Sequence, residues 1–203
     1  MLPPKLAVIY QVGFPNASIL KFAEAMNDES LTVHLEERPQ AGPMAGVMWM
    51  MLTQAALFMG GSYVAGILKE VGKEHYEKLK KAVAEMTQKT MSTPRIEPDL
   101  FSTAGKVNQD DPFSMAFSIY ANLPNGETAK LLIPKGPAGL DYAAITNAFF
   151  DFVAQCYEEN STALDETGVN LSSVPGRSPI TVAYNPGTGK MEWMDPRPKP
   201  TRE

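Results

Sequence analysis

Twenty-nine consecutive residues, from Gln40 to Leu68, carry no charged side chain, and a stretch of that length must be buried in something. It is rich in small and soft residues, with methionines at 44, 48, 50, 51 and 59 and glycines at 42, 46, 60, 61 and 66. Length alone satisfies the requirement for a membrane span, for which ~20 apolar residues suffice. Hydropathy is weaker, because Thr53, Gln54, Gly60, Gly61, Ser62 and Tyr63 dilute the segment. Its flanks are mixed in sign, Glu36-Glu37-Arg38 before it and Lys69, Glu70, Lys73 and Glu74 after it, so no one-sided basic cluster sets an orientation.

Geometry adds a second constraint. One straight helix from Met44 to Met86 would run ~65 Å, whereas a compact chain of this size is only about 45 Å across. The adjacent glycines at 60 and 61 are the natural break, since each weakens a helix by about 1 kcal/mol relative to alanine. The segment is therefore expected to fold back as a helical hairpin centred on Gly60-Gly61. Gly42 with Gly46 and Ser62 with Gly66 would allow close helix packing, in a membrane or in a core alike.

The residues before the segment read as a β-α-β unit. Lys5 to Val12 is apolar and β-branched and stops at Gly13 and Pro15. Asn16 can cap a helix whose Ile19, Phe22, Ala23 and Met26 fall on one face. Leu31, Val33 and Leu35 then alternate with Thr32, His34 and Glu36, a half-buried strand ending at Pro39. After the segment comes an amphipathic helix. Leu68, Val71, His75, Leu79, Ala82, Val83 and Met86 mark its apolar face, Glu74/Lys78 and Glu77/Lys81 pair on the other, and Pro94 ends it near Met91.

Residues 93–112, with three prolines and a glycine, read as a linker or long loop between two halves. Phe113 to Ala121 and Thr128 to Ile133 form a hairpin turning at Pro124-Asn125-Gly126. A helix from about Asp141 to Glu159 follows, with Ala144, Ile145, Ala148, Phe149, Phe152, Val153 and Cys156 inward, and then an irregular stretch from Thr162 to Ser178. A second hairpin pairs Ile180, Val182 and Tyr184 with Met191 and Trp193 across residues 185–189. The expected class is α+β with mixed or antiparallel pairing. Its parts are residues 1–92, the linker 93–112, the hairpin-helix-hairpin region 113–195, free to pack with the first part as one domain, and an extended tail 196–203.

Chemistry-bearing motifs are sparse. Gly187-Thr188-Gly189-Lys190 resembles a phosphate loop only superficially: Tyr184 stands at the motif's first glycine, Met191 at its hydroxyl residue, and the stretch lies between strands. His34 and His75, the only histidines, lack partners at ligand spacing, so no metal is expected. Cys156 is the one cysteine and lies on a Phe-rich apolar face, which predicts a buried, inert thiol. Neither the Asp110-Asp111 nor the Glu158-Glu159 pair forms a catalytic dyad locally, and no cofactor or catalytic residue is assigned. The net charge of −5 argues against a non-specific nucleic-acid grip; Lys78, Lys80 and Lys81 alternate with Glu74, Glu77 and Glu85 as a solvated helix face. A lone cysteine and an N-terminus without a basic leader point to the cytoplasm, with membrane association through residues 44–68 left open.

Leu31–Glu37, Gly42-Pro43, Gly60-Gly61 and Leu123-Pro124-Asn125-Gly126-Glu127 together resemble the effector-associated constant component proteins of bacterial conflict systems. The resemblance covers about the first two thirds of the chain. The long helix from Lys69 and the C-terminal helix and hairpin are additions to the small members. It implies an accessory or adaptor role beside an effector.

The leading expectation is a non-enzymatic component that docks a protein partner, or a second copy of itself, through the apolar segment. The candidate contacts are Met44, Met48, Trp49, Met51, Leu52, Phe58, Met59, Gly60, Gly61 and Tyr63. A membrane-inserting effector using residues 44–68 is the alternative, and an enzyme whose site is assembled only by the fold is the second.

Overall fold

The structure, a computed structural model, describes residues 5–27, 31–39, 53–68, 72–92, 97, 112–136, 140–176 and 178–195. β1 (Leu6–Gln11) is the apolar opening strand, and the chain turns at its end through a Phe14 N–H to Gln11 C=O bond. α1 (Ala17–Met26) buries Ile19, Phe22, Ala23 and Met26, the face set by their spacing. Asn16 does occupy the N-cap position, but its side chain makes no capping bond. β2 (His34–Arg38) starts later than the alternation suggests. Leu31 and Val33 are buried ahead of it, where the Val33 N–H donates to Asn27 Oδ1 at 2.7 Å.

The apolar segment departs from the helical hairpin expected of it. Ala55–Met59 is a strand, β3, and Gly60-Gly61 joins that strand to the short helix α2 (Gly61–Gly66) rather than linking two helices. Alanine, leucine and methionine are good helix formers, but propensity is a weak prior that pairing overrides. Here β3 pairs antiparallel with β1 on one edge and parallel with β4 on the other, from Ala55 opposite Phe117 to Met59 opposite Ala121. The remainder of the segment, including Met44, Met48, Trp49, Met51 and Leu52, lies outside the described residues.

The amphipathic helix α3 (Gly72–Met91) ends where Pro94 predicts. β4 (Phe117–Asn122) and β5 (Thr128–Leu131) form the first hairpin. Gly126 closes it at φ +87°, a conformation that a side chain would disfavour. α4 (Tyr142–Cys156) is capped by Asp141, whose Oδ1 accepts from the Ala144 N–H at 2.9 Å. It buries Ile145, Phe149, Phe152, Val153 and Cys156 as expected, while Ala144 and Ala148 are only half-buried. Phe150 is buried as well, because α4 also packs on α3, with Phe150 edge-on to Tyr76 at 6.0 Å. The stretch read as irregular holds α5 (Ala163–Glu166) and a short 3-10 turn. β6 (Ile180–Asn185) and β7 (Lys190–Trp193) make the second hairpin in the expected register, Tyr184 opposite Met191 and Val182 opposite Trp193.

The class is α+β, built on one mixed seven-stranded sheet in the order β2-β1-β3-β4-β5-β6-β7. Three parallel pairs (β1/β2, β3/β4 and β5/β6) are each bridged by helix, and neighbouring pairs run antiparallel. Because β3 and β4 pair directly, the two halves of the sequence contribute to the same sheet; of the stretch between them, only Glu97 and Pro112 are described. One core joins Leu6, Val8, Leu57, Phe117, Ile119, Leu131 and Val182 of the sheet with Ile19, Phe22, Leu79, Val83, Met86, Phe149 and Val153 of the helices. No described helix is long and apolar enough to cross a membrane.

Leu57 is fully buried and Val12 is half exposed. In urea denaturation, Leu57→Ala should cost about 2–5 kcal/mol and Val12→Ala less than about 0.5 kcal/mol. Similar losses for both would contradict a central placement of β3.

Candidate functional site

The face of the sheet opposite the helical core carries one row of side chains that runs across six strands. Strand register aligns His34, Ala7, Phe58, Tyr120, Lys130 and Thr181 at a single level. The row runs from an exposed histidine at the β2 edge to a fully buried threonine on β6. At its centre the rings of Phe58 and Tyr120 stack, 4.6 Å apart and 12° from parallel, and Lys130 Nζ lies 5.5 Å from the Tyr120 ring centre.

Burial sets the electrostatics of this row. Lys130 is 1% exposed, and desolvation pushes its ammonium pKa down to about 7. A cation over a ring is favourable, yet at this depth the loss of water outweighs it. Burial pushes the Tyr120 hydroxyl up to about 12, opposed by a hydrogen bond with Ser118. Ser118 Oγ also shares a 2.7 Å bond with Thr53 Oγ1, which donates to the Ala55 carbonyl at 2.6 Å. Nearby, Glu97 accepts from Ser114 Oγ at 2.7 Å and from the Met115 N–H at 2.9 Å, fixing the approach to β4. A near-neutral amine has the chemistry of a base or nucleophile, but one this buried is out of reach of a solvent-borne substrate.

The candidate contact residues separate by face. Met59 and Tyr63 are buried with the helices, and Tyr63 Oη shares a 3.1 Å bond with His75 Nε2. Phe58, Gly60 and Gly61 are half-buried. The Gly60 N–H donates to the Lys5 carbonyl, and a Cβ on Gly61 would stand 3.3 Å from Tyr157 Oη. That hydroxyl donates to the Asn122 carbonyl at 2.8 Å. These glycines thus form the tight joint between β3 and α2.

The histidines do not converge: His34 lies beside Glu36 at 3.9 Å on the sheet edge, while His75 faces Tyr63. Asp110 and Asp111 lie outside the described residues, among which no group of three metal-ligating side chains gathers. Residues 186–189 form the turn between β6 and β7, and the Gly187 N–H there donates to Asn185 Oδ1 at 2.8 Å. Cys156 is buried on α4, which pushes its thiol up to about 11.

Two of the clefts on the helical side bring polar groups of different elements together. One, of about 370 Å³, lies between the start of α1 and the end of α3 and includes Ser18, Lys21, Lys89 and Thr90 in its lining. The other, of about 870 Å³, follows α4 to the β6–β7 turn, where Lys190 pairs with Glu166 at 3.0 Å. Sequence reasoning missed both Lys130 and the Lys21/Lys89 pair. A lysine inside the apolar run Ala129–Ile133 was a readable signal for the first; the second pair meets only in the fold.

The unfolded Lys130 amine keeps its proton up to about 10.5 and the folded one only to about 7. Between those values the unfolded chain binds more protons, so this group's contribution to stability rises with pH. Lys130→Met should remove that rise from urea midpoints measured across the window; an unchanged slope would contradict the buried amine. Cys156 should resist iodoacetamide in the native protein and react once denatured, whereas fast native alkylation would place it at the surface.

No family model matches the chain, and no curated protein or solved structure matches it.

Proposed function

We propose that this protein is a non-enzymatic interaction component that docks a protein partner through its uncharged segment, on the sheet face opposite the helical core. One observation carries the reading. The described helices pack on one side of the sheet, and on the other side β1 and β3 place Ile9 and Phe58 as half-buried diagonal neighbours. Phe58 is held rigid by its stack on Tyr120. A pre-ordered aromatic in an apolar surround is the usual kind of interface anchor, since little side-chain freedom remains to be lost on binding. The uncharged character of the segment supports the same reading, because charged residues are depleted from interface centres. In this role the protein is an accessory beside an effector, or one copy docked on another.

Photo-crosslinking tests this. A benzophenone amino acid at position 58 should give one defined crosslinked species in the producing cells, and the same group at the exposed Glu24 of α1 should not. Ile9→Ser should abolish the crosslink while leaving the circular dichroism unchanged. Identical patterns from both positions, with a monodisperse monomer in solution, would remove the reading.

A further inference from the structure

The cleft between α1 and α3 has a composition that the docking reading does not use. Lys21, from the second turn of α1, and Lys89, from the last turn of α3, line the same space of about 370 Å³. Among the described residues they are the only charged side chains in its lining, and there neither takes part in an ion pair. In a chain of net charge −5, a cleft whose described lining holds two ammonium groups and no carboxylate is a local reversal of potential, and such concavities concentrate anions.

Two hydroxyls sit with the lysines. Ser18 Oγ and Thr90 Oγ1 share a bond of 3.0 Å across the cleft. Each hydroxyl has one proton to give, and their mutual bond uses only one of the two. The other proton is available to an oxygen placed in the cleft. Phe14 supplies an apolar wall and Ala116 is part of the lining. The volume falls within the ~300–1,000 Å³ of small-molecule sites, larger than a bare tetrahedral anion needs.

We infer that this cleft binds a small phosphate monoester, its dianionic head between Lys21 and Lys89, bonded by the free hydroxyl proton of the Ser18/Thr90 pair, and its organic part against Phe14. Paired cations suit a doubly charged group better than a carboxylate, and charge-assisted bonds to phosphate oxygens are the strong ones. A polynucleotide fits poorly, since two lysines on an acidic protein release too few counterions to hold it.

Titration with inorganic phosphate and with phenyl phosphate, followed by amide NMR at constant ionic strength, tests the assignment. Saturable shifts should be confined to residues around 14–21, 89–90 and 116, with phenyl phosphate binding more tightly than inorganic phosphate. Lys21→Gln and Lys89→Gln should each weaken binding by roughly tenfold. Both lysines are exposed on helix surfaces, so the variants should keep the parent's circular dichroism and Tm. Shifts spread over all lysines, or retained in the double variant, would overturn the site. Equal affinity for the two probes would overturn the monoester assignment. Phe58→Ser should leave phosphate binding intact, which separates this site from the docking face.

Discussion

A strand that is hydrogen-bonded on both edges and buried along all but one of its side chains leaves little place for a charge, and β3 is such a strand. Its Ala55, Ala56 and Leu57 are fully buried and Met59 nearly so. With β1 on one side and β4 on the other, it joins the opening β-α-β unit to everything after residue 112. Every buried backbone N–H and C=O must find a partner, and here those partners come from strands far apart in sequence. The absence of charge in Ala55–Met59 is therefore a consequence of position in the sheet.

From that strand the two faces acquire different characters. Toward the helices, Leu57 and Met59 extend a conventional apolar core. On the other face, alternation brings Phe58 into line with Tyr120, Lys130 and Thr181, so the aromatic pair and the buried amine belong to the same row. The proposed docking surface is the shallow part of that row and its neighbour Ile9. The deep part is a structural polar array, with Lys130 too enclosed to act on anything in solvent. The cationic cleft owes nothing to this face; it arises where α1 and α3 pack side by side, pinned by Ser18 and Thr90.

Much of the fold was legible because local pattern and tertiary role agreed. The period of α1, the end of α3 before a proline, the turn at Asn125-Gly126 and the Tyr184/Met191 register all follow from neighbouring residues. Ala55–Met59 was not legible, because a run of Ala, Leu and Met suits a helix and only distant partners make it a strand. Phe58 was named as a contact candidate for its apolar context, but the face it occupies follows from the strand assignment. Met59 and Tyr63 were named with it and are buried with the helices instead. Lys21 and Lys89 come from helices separated by two strands and the short helix α2, so no local pattern could pair them.

The central claim is that the uncharged segment supplies an interior strand of the sheet, paired on both edges. Native-state hydrogen exchange at the amides of Ala55–Met59, read residue by residue with their 13Cα shifts, tests it most directly. β3 amides should show strand-type shifts and exchange only through global unfolding, with the same free energy as the core of β4. Helical 13Cα shifts, or exchange through a local opening well below the global stability, would contradict it.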